Sequence, residues 1–108
     1  MALTGFDHLV VRVNDIDEGI ATYRDRLGLT LDRTAESEAL GIKQAFFNMP
    51  NGGFIEIVAP TSADSAVGKA LEGRGEGMHT IALLESGRID FGYVGHRELS
   101  ALPEEELD

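Results

Sequence analysis

The sequence predicts an α+β domain with one principal helix and a run of strands. Three local patterns carry that expectation. Residues 7–13, Asp7-His8-Leu9-Val10-Val11-Arg12-Val13, are short and rich in β-branched side chains, as strands are. In residues 16–27, Ile16, Ile20, Tyr23 and Leu27 recur at spacings of four, three and four, one stripe of an amphipathic helix. Further on, Asn51-Gly52-Gly53 separates two apolar runs, a strong hairpin signal.

Alternation in the first strand puts His8, Val10 and Arg12 on one face and Leu9, Val11 and Val13 on the other. The second set is wholly apolar and is expected to be covered by the helix. His8 and Arg12 then face a cleft or solvent. Asp15 is placed to cap the helix, with Glu18 three residues on. Gly28 is placed to end it in a left-handed conformation. Strands are expected over residues 29–35, 39–49 and 54–59, the last stopped by Pro60. A short helix is expected over 65–71, a compliant link at Gly73, Gly75 and Gly77, and a fifth strand over 78–84. Residues 88–94 alternate as a sixth strand would, and the acidic stretch 99–108 reads as a tail.

Bulk properties narrow the functions. The chain has 108 residues, enough for one domain. Its 19 acidic and 9 basic residues give a formal charge of -10, which argues against nucleic acid as a partner. There is no cysteine, so disulfides, zinc–thiolate sites and cysteine nucleophiles are excluded. Apolar stretches fall well short of a membrane span, no secretory signal is visible, and a cytoplasmic location is expected. Gly73, Gly75 and Gly77 lack the lysine and serine or threonine of a phosphate loop.

In order and spacing, several segments together resemble the glyoxalase-like domains, also called vicinal oxygen chelate proteins. They form a superfamily with the bleomycin-resistance proteins and certain dioxygenases. The opening 6–13, the helix region with Tyr23-Arg24-Asp25-Arg26-Leu27-Gly28-Leu29, and Leu40-Gly41-Ile42-Lys43-Gln44-Ala45-Phe46-Phe47 carry the likeness. So do Phe54-Ile55-Glu56-Ile57-Val58-Ala59-Pro60 and Gly75-Glu76-Gly77-Met78-His79-Thr80-Ile81-Ala82-Leu83. The methylmalonyl-CoA epimerase branch looks closest. The resemblance implies a curved mixed sheet built from βαβββ modules: a complete one over 1–60, a truncated second over 61–98, and the tail 99–108. A shortened sheet leaves an unpaired edge, so a homodimer is expected.

The resemblance also implies a divalent metal, Co, Mn, Ni, Zn or Fe, in a cleft. His8 matches the first ligand and Glu56 the second. The third falls near His79 and Thr80; relatives usually carry two successive histidines there, the second being the ligand. Either an altered register brings His79 in, or the third ligand is missing. Glu98 is the candidate for the late ligand or catalytic acid. Gln44 shares a face with Ile42 and Phe46 and is a catalytic candidate, placed to bind a substrate oxygen or to stand in for a proton-shuttling group in the cleft. Lys43, Phe46, Phe54 and Thr80 are candidate substrate contacts, and His96 is a possible substitute ligand.

If the site is complete, the resemblance implies an epimerase or lyase acting through an enolate or enediolate. The alternative is a non-catalytic protein of the same fold that binds a small molecule, or a degenerate dimer.

Overall fold

The computed structural model describes residues 3–50, 52–85 and 88–93. Strand β1 (Leu3–Arg12) leads into helix α1 (Ile16–Ile20), which continues as a π-helical turn over Ala21–Arg26. Strands β2 (Thr30–Ser37), β3 (Ile42–Asn48) and β4 (Phe54–Pro60) follow. Helix α2 (Ala66–Arg74) then precedes β5 (Gly77–Glu85) and β6 (Arg88–Tyr93). The six strands form one sheet in the order β2-β3-β4-β1-β5-β6. Among the described residues only the β1–β4 pair is parallel; the other pairs are antiparallel. This is the α+β fold with a βαβββ unit that the sequence predicts.

Each element starts and stops for a local reason. The Asp15 carboxylate accepts from the Glu18 backbone N–H at 3.0 Å, capping α1. Ser65 does the same for α2 through Gly68 at 3.0 Å. Gly28 takes a φ of 75°, the left-handed stop expected of it. The hairpin between β3 and β4 turns through Gly52 and Gly53, both at positive φ. β3 begins at Ile42 rather than residue 39. Leu40 N–H is taken by the Ser37 hydroxyl, and Gly41, at φ 66°, donates to Glu38 O, so these residues turn instead of pairing.

The first helix departs from the expected stripe. Leu27 N–H donates to Thr22 O, five residues back, so the turn is wider than an α-turn. Ile16, Ile20 and Tyr23 pack against the core as predicted. Leu27 is rotated off that line and is 62% exposed.

Both faces of the sheet are covered. Under α1, Val13, Ala45, Phe47, Ile57 and Ala59 are buried, with Val11, Leu31 and Ile55 packed around them. Under α2, Val10, Ile42, Val58 and Val67 are buried, joined by Leu71. Val11 and Val13 therefore face the helix, while His8, Val10 and Arg12 face the other way, as alternation requires.

Helix α2 sits tightly on the loop before it. A Cβ built on Gly68 would lie 2.7 Å from Ser62 O and 2.8 Å from Ala63 O, both backbone atoms that cannot swing aside. Gly68→Ala is expected to destabilise by about 1–2 kcal/mol, overpacking outweighing alanine's better helix propensity. Urea unfolding checks this; equal or higher stability would contradict the packing argument.

Candidate functional site

Strand pairing brings the polar candidates onto one face. His8 pairs with Phe54 and Val10 with Glu56 across the parallel β1–β4 ladder. Phe46 pairs with Glu56, and Gln44 with Val58, across β3–β4. Directly paired residues point the same way, so His8, Glu56, Gln44, Phe46 and Phe54 share the face that α2 partly covers. His8 Nε2 is 3.7 Å from Glu56 Oε1. Gln44 Nε2 donates to Glu56 Oε2 at 2.8 Å. His8 stacks on Phe54, with ring centroids 4.3 Å apart, and Phe46 lies at 6.0 Å from Phe54. Two of the three expected ligand residues thus converge. Gln44, read as a substrate-handling group, is engaged in orienting Glu56.

Three register slips shape this face, and sequence alternation could not reveal them. Between Phe6 and His8 the pairing to β5 gains one residue on β1, which is Asp7. That bulge lets neighbours in sequence meet, and His8 Nδ1 lies 2.7 Å from Asp7 Oδ2. A carboxylate on Nδ1 fixes the ring's orientation and leaves Nε2 toward Glu56. Between Leu31 and Arg33 the β2–β3 register slips in the same way. Arg33 thereby lies over Phe46, its guanidinium carbon 3.8 Å from the ring centre.

The third slip concerns His79. Val10 pairs with Thr80 but Val11 with Met78, so His79 is the extra residue on β5. Without the bulge it would face away from Thr80. With it, both His79 and Thr80 line one cavity of about 330 Å³, together with Val10, Gln44, Glu56 and Val67. The bulge therefore places His79 on the wall of this cavity. Arg12 anchors this segment. It is 6% exposed and donates through Nε to Gly75 O at 2.8 Å and through Nη1 to Met78 O at 2.6 Å.

The remaining candidates separate. Lys43 is exposed and pairs with Ala59 and Glu36, on the face opposite Gln44. It does not join the others. Glu98 and His96 lie outside the described residues. Asp7 and Arg12, which complete the site, were not singled out as site residues; both act through contacts made by bulges or distant loops, and neither leaves a local motif.

The donor set does not complete a metal site. Among the described residues no group of three His, Asp or Glu side chains lies close enough to hold a metal ion. His8 and Glu56 supply two donors, and His79 does not join them. Zinc and related ions need three protein ligands or more for a catalytic centre. Among the described residues the donors do not fit such an ion.

His79 carries a further peculiarity: its Nδ1 is buried with no hydrogen-bond partner among the described residues. Burial lowers its pKa below the ordinary histidine value, with Arg12 and then Arg74 adding to the effect. A histidine whose folded pKa is depressed favours the folded state above its unfolded pKa. That contribution is lost as pH falls from about 6.5 through the folded value. Wild type is therefore expected to lose more stability than His79→Gln between neutral pH and pH 5. Urea titrations of both proteins across that range test this, because carboxylate effects cancel in the difference. Parallel curves would contradict it.

Comparison with known proteins agrees with this geometry. A family model for the glyoxalase-like domain matches residues 6–90. YqjC of Bacillus subtilis, whose function is uncharacterised, is 33% identical over 78 residues, 72% of this chain and 55% of YqjC. A Streptomyces coelicolor methylmalonyl-CoA epimerase variant in complex with 2-nitronate-propionyl-CoA is 36% identical with a TM-score of 0.68. That match covers 76% of this chain and 62% of the enzyme. Methylmalonyl-CoA epimerase from Mycobacterium tuberculosis is 33% identical with a TM-score of 0.70, covering 75% and 55% respectively. The chain thus spans a little over half the length of these relatives. No helix among the described residues is long and apolar enough to cross a membrane. With its βαβββ unit, mixed sheet and shared sequence over most of its length, the chain belongs to the glyoxalase-like, vicinal oxygen chelate family, in the methylmalonyl-CoA epimerase-like branch.

Proposed function

We propose that this chain is a small-molecule-binding member of its family, which holds a ligand in the cleft without the metal chemistry of an epimerase. One observation supports this above the others. His8 and Glu56, the residues that the resemblance implies as the first two ligands, lie 3.7 Å apart, but no third His, Asp or Glu among the described residues groups with them. Glu56 is instead tied to Gln44. What the cleft does offer is a partly open volume of about 330 Å³ with mainly apolar walls, of the size that small ligands occupy.

The test is calorimetric titration of chelator-treated protein with Co, Mn, Ni and Zn. No saturable one-to-one binding is expected. Stoichiometric uptake, lost in both His8→Ala and Glu56→Ala, would overturn the proposal. It would favour a second reading, metal-dependent epimerase or lyase chemistry on an acyl thioester. One observation favours that reading: the Asp7–His8 contact at 2.7 Å leaves Nε2 facing Glu56, the second-sphere arrangement usual for ligating histidines.

We also propose that two copies pair. Strand β6 ends the sheet among the described residues and offers an unpaired edge. Sedimentation equilibrium should give twice the chain mass of 11.6 kDa. A mass of one chain at micromolar concentration would contradict it.

A further inference from the structure

We propose that the cleft selects organic cations, primary ammonium groups carried on a compact apolar body, and that the Glu56 carboxylate is their counter-charge. This rests on the small-molecule-binding reading and names its ligand class. Glu56 lines the cavity. Its side chain keeps 13% of its surface accessible, so a ligand can reach it. Gln44 Nε2 holds Oε2 at 2.8 Å. Oε1 lies 3.7 Å from His8 Nε2, longer than an ordinary hydrogen bond, and a carboxylate oxygen accepts more than one donor.

The sign of the charge follows from the whole wall. Val10, Ile42, Val58 and Val67 offer only apolar surface. Gln44 and Thr80 also line it; amide and hydroxyl groups both donate and accept, and neither is charged. His79 is disfavoured from taking a second proton by burial, Arg12 and Arg74, so it adds no positive charge. Neither lysine nor arginine lines the cavity among the described residues. Arg12 is held by two backbone carbonyls, and Arg33 lies over Phe46. Beside Glu56, His8 stands between two carboxylates, with Asp7 Oδ2 at 2.7 Å and Glu56 Oε1 at 3.7 Å. With both carboxylates ionised, this trio is net negative whether or not His8 is protonated. An anion entering the cavity would therefore meet like charge in a partly dry site. An ammonium gains a charge-assisted hydrogen bond to Glu56, about twice as strong as that of a neutral donor.

Cyclohexylammonium, cyclohexanol and cyclohexanecarboxylate share a ring and differ in charge. Titration of each into protein with labelled valine, leucine and isoleucine methyl groups, followed by NMR, separates the outcomes. Saturable shifts at Val10, Ile42, Val58 and Val67 distinguish this cavity from the acidic surface. Cyclohexylammonium should bind there about tenfold more tightly than cyclohexanol, and cyclohexanecarboxylate should be the weakest. In Glu56→Gln, which keeps the shape of the side chain, the amine and the alcohol should become equal. If the alcohol or the carboxylate binds wild type as well as the amine, the ligand class is wrong while the binding reading stands. An amine preference that survives in Glu56→Gln would remove Glu56 as the counter-charge. If none of the three moves those methyl signals, the binding reading itself fails. Val10 is the strand partner of Glu56, so an NOE from the ring proton beside the ammonium to the Val10 methyls places the charge even if Glu56→Gln does not fold; its absence would count against the assignment.

Discussion

Phe47→Ala is expected to lower the unfolding free energy by about 3–5 kcal/mol, the usual cost of removing a fully buried aromatic side chain. Phe47 is 0% exposed. It lies in the middle of the sheet and meets Tyr23 on the helical segment, with centroids 5.7 Å apart. The loss combines transfer of the ring to water with a cavity that the surrounding strands cannot easily close. Because stabilities of small domains are about 5–15 kcal/mol, the variant should be marginal. Urea unfolding with two independent probes measures the change. A loss below about 1 kcal/mol would mean that the core under α1 collapses around the gap and is looser than described.

Arg12→Met is expected to cost about 3 kcal/mol. Methionine keeps the packing of the stem but leaves Gly75 O and Met78 O without the donors Arg12 supplies. Removing a buried guanidinium also removes its desolvation cost, which for a side-chain ion pair can make such a change neutral. Here the partners are backbone carbonyls that no substitution replaces, so the loss prevails. Arg12→Lys should recover only part of it, since an ammonium cannot reproduce the fork that reaches both carbonyls. The structural consequence matters more than the energy. The amides of Met78, His79 and Thr80 should exchange faster in Arg12→Met, as the bulge that aims His79 loosens. Unchanged exchange there, with stability within about 0.5 kcal/mol of wild type, would sink the anchoring role.

Much of this could be read from the residues in order. Alternation in β1 places His8 and Arg12 opposite Val11 and Val13, because side-chain direction in a strand has a fixed period. The start of α1 follows from Asp15, whose carboxylate needs only the amide three residues on. Gly28 and the Gly52–Gly53 turn announce themselves through φ values that other residues avoid. The convergence of His8 and Glu56 came from the family resemblance, and parallel pairing of β1 with β4 delivers it.

What was hidden is non-local. Whether His79 joins Thr80 on the cleft face depends on a one-residue slip that arises only when β5 pairs with β1. The same holds for Asp7 reaching His8 and for Arg33 covering Phe46. Leu27 has the right spacing for the helical stripe, yet a hydrogen bond five residues back turns it to solvent. Arg12 reads locally as a cleft-facing cation; its true partners are carbonyls more than sixty positions away. Lys43 sits beside Gln44 in sequence, and for that very reason points to the other face.

The most direct measurement is the methyl NMR map of the chain titrated with cyclohexanol in the presence of a chelator. Shifts confined to Val10, Ile42, Val58 and Val67, saturating without any added ion, are the predicted result. Shifts on Ile16, Ile20 and Ile57 under α1, or none until a divalent ion is supplied, would contradict a binding cleft formed by this chain's own side chains.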